Sequence, residues 1–121
     1  MNKTILIVDD SSSVREVVAH TLQTAGYTVI ARQDGEDALT SLDGSPIHLV
    51  VTDLNMPKMD GISLTKAIRA NEAYKFTPIL LLTTESQDEK KKEAKAAGAT
   101  GWLVKPFVAE KLLEVVKKVI R

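Results

Sequence analysis

Short apolar runs rich in β-branched residues or leucine recur five times along the chain, at Thr4–Val8, Thr28–Arg32, 48–52, 78–82 and Gly101–Val104. Between them the apolar positions fall at helical spacing. Val14, Val17, Val18, Leu22 and Ala25 follow the i, i+3, i+4 pattern of one buried stripe. Ser12 or Ser13 is suited to cap the start of that helix, and Gly26 to end it in the left-handed conformation. Residues 35–42 predict a shorter helix, and Ile62, Thr65, Ile68 and Arg69 mark a third. Residues 87–97 predict a fourth, polar over most of its surface and stopped by Gly98. Val108, Leu112, Val115, Val116 and Val119 give a clear fifth.

Strand and helix thus alternate. The first, third and fourth strands are nearly continuous apolar runs, as strands covered on both faces should be. Strict alternation predicts parallel strands joined by right-handed crossovers, hence a three-layer α/β sandwich. No linker, repeat or low-complexity tract interrupts the pattern. The one charge run, Lys90 to Lys92, lies on a polar helix face where solvated lysines are ordinary.

Length and charge narrow the function classes. The 121 residues fit one domain, expected to span residues 1–121. Sixteen basic and sixteen acidic residues cancel, which argues against nucleic-acid binding, because phosphate neutralisation supplies most of that affinity. Without cysteine there is no disulfide framework, thiolate metal site or thiol nucleophile. Apolar runs stop at about five residues, far short of the ~20 of a membrane span. The first residues lead directly into a strand pattern without the apolar stretch of a signal peptide. A soluble, cytoplasmic protein with no membrane partner is expected.

The chemistry gathers where the strands end. In open parallel α/β sheets, ligands bind at the carboxyl ends of the strands. The first strand ends in Asp9 and Asp10, the third in Asp53, the fourth in Thr83 and Thr84, and the fifth in Lys105 and Pro106. A single aspartate at such a place is ordinarily a cap or turn residue; the constellation is what points to a site. Three neighbouring carboxylates repel one another unless a cation neutralises them. An all-oxygen set with few protein ligands suits Mg²⁺, which keeps waters and is shared with phosphate. Such an ion would shield an incoming phosphoryl group from Asp53. Lys105 would add a point charge and Thr83 a hydroxyl donor.

The segments Ile5-Leu6-Ile7-Val8-Asp9-Asp10, Asp53-Leu54-Asn55-Met56-Pro57 with Asp60-Gly61, Leu82-Thr83, Gly98-Ala99 and Lys105-Pro106-Phe107 carry a resemblance. Over essentially the whole chain the sequence resembles the receiver domain of two-component response regulators, and within them the single-domain chemotaxis regulators of the CheY type. The resemblance implies a (βα)5 flavodoxin-like fold with strand order 2-1-3-4-5. It implies that Asp53 is the phosphoacceptor. Asp10 and Asp53 would bind Mg²⁺ (or Mn²⁺) directly, Asp9 through water, and Asn55 through its backbone carbonyl. Lys105 would contact the phosphoryl group, with a cis bond to Pro106. Thr83 would be the switch hydroxyl. Asn55 and Glu85 occupy the two positions that tune phosphoryl lifetime and point to a short one.

Trp102 stands where chemotaxis regulators usually have tyrosine. It is larger and lacks the hydroxyl, so its inward and outward rotamers need not be equally accessible; as an alternative it simply caps the core. The fourth helix, fifth strand and fifth helix would form the output face, with Lys91, Lys95, Trp102 and Lys111 on it. The implied partners are a histidine kinase of the chemotaxis type, a flagellar motor switch protein or other output protein, and a phosphatase. The protein would be a signalling switch that catalyses only its own phosphorylation and dephosphorylation.

Other readings are weaker. Asp53-Leu54-Asn55 with Asp60-Gly61 fails as a calcium loop, because Lys58 stands where glycine is needed and Pro57 precedes it. A flavin carrier of the same fold class needs a hydroxyl-rich first loop, and Asp9-Asp10 would repel its phosphate. A phosphohydrolase working through an aspartyl phosphate would need Asp-x-Asp after the first strand, and here the aspartates are adjacent. His20 and His48 read as surface or strand filler. A receiver excised from a multidomain transcriptional regulator is the nearest rival. The net charge and the Asn55/Glu85 pair favour the free-standing form.

Overall fold

Strand and helix alternate in a computed structural model of the protein, which describes residues 3–84 and 88–120. The elements are β1 (Thr4–Val8), α1 (Ser12–Thr24), β2 (Thr28–Arg32), α2 (Gly35–Leu39), β3 (Leu49–Asp53), α3 (Gly61–Ala70), β4 (Ile79–Thr83), α4 (Asp88–Ala97), β5 (Gly101–Val104) and α5 (Ala109–Val119). All neighbouring strands are parallel, in the order β2-β1-β3-β4-β5. The expected flavodoxin-like topology is therefore present. No helix among the described residues is long and apolar enough to cross a membrane.

The strands sort their side chains by period two into two cores. Leu6, Val8, Val50, Ile79 and Leu81 face one side, against Ala38 of α2, Ile62 and Ile68 of α3 and Ala94 of α4. Ile5, Ile7, Leu49, Val51, Leu80 and Leu82 face the other, against Val18 and Leu22 of α1 and Leu112 and Val116 of α5. The central strands β3 and β4 are buried along their whole length, while β2 and β5 are edges with partly exposed residues. This is the three-layer sandwich that the continuous apolar runs implied.

Four elements differ at their ends from the sequence expectation. The third and fourth strands lie one residue later than expected, at 49–53 and 79–83, so Asp53 and Thr83 end the strands rather than follow them. Pro78 has no N–H to give to a ladder and instead accepts from Val50 N at 3.0 Å. Helix α2 stops at Leu39 rather than Leu42, because Thr40, Ser41 and Leu42 bond back to the third residue before them and tighten the turn. Helix α1 is capped by Ser11, not by Ser12 or Ser13; its Oγ accepts from Val14 N at 3.3 Å. Gly26 follows α1 at φ +99, as expected.

Chain order reverses about β1 and β3: β2 lies on one side of β1, and the remaining strands continue on the other. That is the topological switch point, and the crevice beyond its strand ends is where this class of sheet binds ligands.

Candidate functional site

Asp9 follows the last residue of β1 and is 4% exposed, while Asp10 is open to solvent. The loop holding them is fixed by backbone polar groups. Asp9 N donates to Arg32 O of β2 at 3.2 Å, and Ser11 N donates to Asp9 Oδ1 at 2.9 Å. Arg15, one turn into α1, donates from Nη1 to the Asp9 carbonyl at 2.6 Å. Asp53 ends β3 and is 7% exposed; its Oδ1 accepts from Leu54 N at 3.0 Å. One carboxylate oxygen from each of Asp9, Asp10 and Asp53 lies within 4.8 Å of the others.

Lys105 supplies the countercharge. Its Nζ lies 3.1 Å from Asp9 Oδ2 and 3.2 Å from Asp53 Oδ1. Lys105 is placed there by β4, since its backbone N–H donates to Thr83 O at 2.8 Å, and its bond to Pro106 is cis. Burial alone would lower the Lys105 pKa, but the hydrogen bond to Asp9 and the charge of Asp53 outweigh it and hold the ammonium above its ordinary value. Asp53 is shifted upward. Burial is the main cause and the charge of Asp9 the next, and Lys105 only partly offsets them. One ammonium therefore does not neutralise three carboxylates. The donor set is all oxygen, hard and anionic, and fits a divalent cation such as Mg²⁺.

The remaining expected residues are distributed as follows. Thr83 is fully buried at the end of β4, in register with Val104 of β5. Asn55 is exposed in the loop after β3. That loop is closed by Met59 N to Pro57 O at 2.7 Å and Gly61 N to Leu54 O at 2.8 Å. Lys58 adopts φ 69 within it. Glu85 lies outside the described residues. Lys91, Lys95 and Trp102 line one hollow of about 270 Å³ between α4 and β5. Lys111 is not among its lining; it pairs with Glu114 at 3.7 Å along α5. Trp102 packs against the α2–α3–α4 core, and its Nε1 is buried without a hydrogen-bond partner among the described residues.

Two positioning residues escaped the sequence reading. Arg15 holds the Asp9 carbonyl, and only its spacing one turn beyond the aspartates could have hinted at that. Gly61 lets the start of α3 press on the acceptor strand: a Cβ there would lie 2.5 Å from Asp53 O. Its place directly after Asp60, the α3 cap that accepts from Ser63 N at 2.7 Å, was the available signal.

Comparison with known proteins agrees with this geometry. Residues 5–117 match the response regulator receiver domain family. The chemotaxis protein CheY of Pseudomonas aeruginosa is 42% identical over 116 residues, which cover 95% of this chain and 94% of that protein. The structure of Vibrio cholerae chemotaxis protein CheY4 superposes with a TM-score of 0.95 at 50% identity, covering 98% of this chain and 99% of that one. A CheX–CheY–BeF3–Mg²⁺ complex from Borrelia burgdorferi contains a chain matching at TM-score 0.88 and 28% identity, covering 96% of this chain and 88% of that one. By sequence match and fold together, the chain belongs to the response regulator receiver domain family, and its relatives include chemotaxis proteins of the CheY type.

Proposed function

We propose that the protein is a phosphorylation switch in which Asp53 takes a phosphoryl group from a histidine kinase of the chemotaxis type. The observation that carries this is the grouping of the buried Asp53 carboxylate with those of Asp9 and Asp10 and with the Lys105 ammonium, which bridges Asp9 and Asp53. The hydrogen bond from Leu54 N and the ion pair with Lys105 Nζ both fall on Asp53 Oδ1. Oδ2 is thereby the oxygen presented for attack. An O–P bond forms at Oδ2 as the N–P bond of the donor phosphohistidine breaks, and the imidazole leaves.

Asp9, Asp10, Asp53 and the backbone carbonyl of Asn55 would hold Mg²⁺ or Mn²⁺. When bound, the ion supplies the charge neutralisation that lets an anionic phosphate approach anionic carboxylates. The presence of Mg²⁺ and BeF3 with the Borrelia burgdorferi CheY supports this assignment. Lys105 shields the phosphoryl oxygens as charge spreads over them. Thr83, at the end of β4, is placed to donate its hydroxyl and to relay occupancy to β5 and Trp102. Asn55 and Glu85 stand at the two sequence positions that tune phosphoryl lifetime in receiver domains, and their polar side chains point to a short-lived phosphoryl group and a protein that resets itself. It is a switch rather than an enzyme acting on a separate substrate.

Phosphorylation shifts the population of the α4–β5–α5 face. The hollow of Lys91, Lys95 and Trp102 suits an output protein with an acidic, apolar segment, such as a flagellar motor switch protein. The CheX in the Borrelia burgdorferi complex supports a further partner of the phosphatase kind. Intact mass after incubation with acetyl phosphate or phosphoramidate tests the central step. One phosphoryl adduct should form with Mg²⁺, and none in its absence or in Asp53→Asn. An unmodified wild type, with no Mg²⁺ binding, would sink the proposal.

A further inference from the structure

The pole opposite the acidic site is basic and carries an exposed aromatic ring. There the loop between α3 and β4 meets the beginnings of β4 and β5 and the last turn of α5. It lies one strand length from Thr83, about 13 Å at the usual rise per residue. Phe76 in that loop is 74% exposed. Beside it is a hollow of about 470 Å³ lined by Arg69, Lys75 and Lys118 with the apolar Val119 and Ile120, and no carboxylate of the described residues lines it. On another side Phe76 borders a second hollow of about 210 Å³, walled by Ile47, His48 and Glu72. The ring thus stands between two depressions.

The cations there differ in how far they are committed. Arg69 is engaged: Nε and Nη2 donate to Gly98 O at 3.1 and 2.8 Å, and Nη1 to Thr77 O at 2.7 Å. It braces the wall and contributes field. Lys75 Nζ lies over the Phe76 ring at 5.3 Å and 3.2 Å from Glu72. Lys118 lies 4.0 Å from Glu114. Both carboxylate pairs are solvent-exposed, and exposed pairs of this kind hold with little free energy. The ammonium groups can therefore turn to an incoming carboxylate.

We infer that this pole is a docking surface for an acidic segment of a partner protein carrying an aromatic or aliphatic anchor. Charge complementarity selects the occupant. The chain as a whole has no net charge, yet among the described residues this hollow gathers three side-chain cations and no anion. Such a patch steers an acidic partner and rejects a basic one. Phe76 supplies the apolar contact that an interface centre uses. The surface shares no residue with the acidic cluster, so docking here is independent of the state of Asp53. It would tether the protein to a partner both before and after switching.

The test is an amide NMR titration of the ¹⁵N-labelled protein with the blocked peptide Glu-Glu-Phe-Glu-Glu-Leu and its lysine counterpart. Saturable shifts of residues 75–77 and 118–120 are expected with the acidic peptide alone. Phe76→Ala, and Lys75→Glu combined with Lys118→Glu, should each weaken binding about tenfold, with the rest of the spectrum unchanged. Asp53→Asn, and beryllofluoride with Mg²⁺, should leave it unaltered. Phosphotransfer can thus fail while docking stands. Shifts confined to the surface of Lys91 and Lys95, equal binding of the lysine peptide, stronger binding of a single-stranded oligonucleotide, or no shift at millimolar peptide would each overturn the inference.

Discussion

The ammonium of Lys105 lies 3.2 Å from Asp53 Oδ1 while also holding Asp9 at 3.1 Å, joining strand ends that are 96 residues apart in the chain. Lys105 is the internal cation of the cluster. Replacing it with methionine leaves two buried carboxylates facing each other. The metal-free protein should lose about 1.5–3 kcal/mol, the range for a hydrogen bond to a charged group. Mg²⁺ should then raise the melting temperature more in Lys105→Met than in wild type, because the ion takes over the neutralisation. Phosphorylation by acetyl phosphate should still fall at least about tenfold, since Lys105 also faces the transferring group. Thermal melts with EDTA and with Mg²⁺ check the first part, and intact mass against time the second.

The upward shift of Asp53 has a consequence for stability. A carboxyl with a raised native pKa binds its proton more tightly folded than unfolded. Stability linked to it therefore falls as pH rises from the ordinary value of 3.8 through the raised native value, and the full penalty applies above that window. Asp53→Asn removes the charge. In EDTA at pH 7 the variant should melt a few degrees higher than wild type, at roughly 4 °C per kcal/mol for a domain of this size. The gain should shrink as pH falls through the window and vanish below pH 3.8. A gain that is constant with pH would assign it to something other than the Asp53 charge.

Much of this arrangement could be read along the chain because it depends on local pattern. Continuous apolar runs located β1, β3 and β4, and the polar residues that end them located Asp9, Asp53 and Thr83. Relations across the chain could not be read that way. Nothing in the sequence around Lys105 says that one ammonium bridges Asp9 and Asp53. Ser11 was passed over as the α1 cap because three consecutive serines offer the same chemistry, and only the extended backbone of Ser11, at φ −86 and ψ 118, makes it the cap. The one-residue offset of β4 follows from a missing N–H at Pro78, a feature that is visible in the sequence but decisive only once the partner strand is known.

Gly61 sets how closely α3 approaches the acceptor strand. Gly61→Ala places a Cβ 2.5 Å from Asp53 O and 3.0 Å from Leu54 Cα, both backbone atoms that cannot rotate away. The loop must shift, at a cost of about 1–3 kcal/mol as for other overpacked sites. Because the displaced atoms belong to Asp53 and Leu54, Mg²⁺ affinity should drop as well. Urea unfolding and calorimetric titration with Mg²⁺ measure the two effects. Lost stability with unchanged Mg²⁺ affinity would show that α3 does not position the site.

Trp102 is the single tryptophan and therefore a clean reporter of β5. Its indole N–H is buried without a partner among the described residues, and a donor left unpaired away from water costs about 1–3 kcal/mol. The observed position is thus less favourable than its packing against the α2–α3–α4 core would make it. A modest pull from the Thr83 end of β4 could release the ring toward the hollow of Lys91 and Lys95, where water or a partner carbonyl can accept from Nε1. Adding beryllofluoride and Mg²⁺ should shift its emission to longer wavelength, and Asp53→Asn should abolish the shift. Trp102→Phe removes the orphan donor but also much of the ring that fills the site, so its stability should change by less than the 3–5 kcal/mol of a buried Trp→Ala truncation. Emission that stays fixed while the beryllofluoride adduct forms would separate Trp102 from the switch and leave it as packing alone.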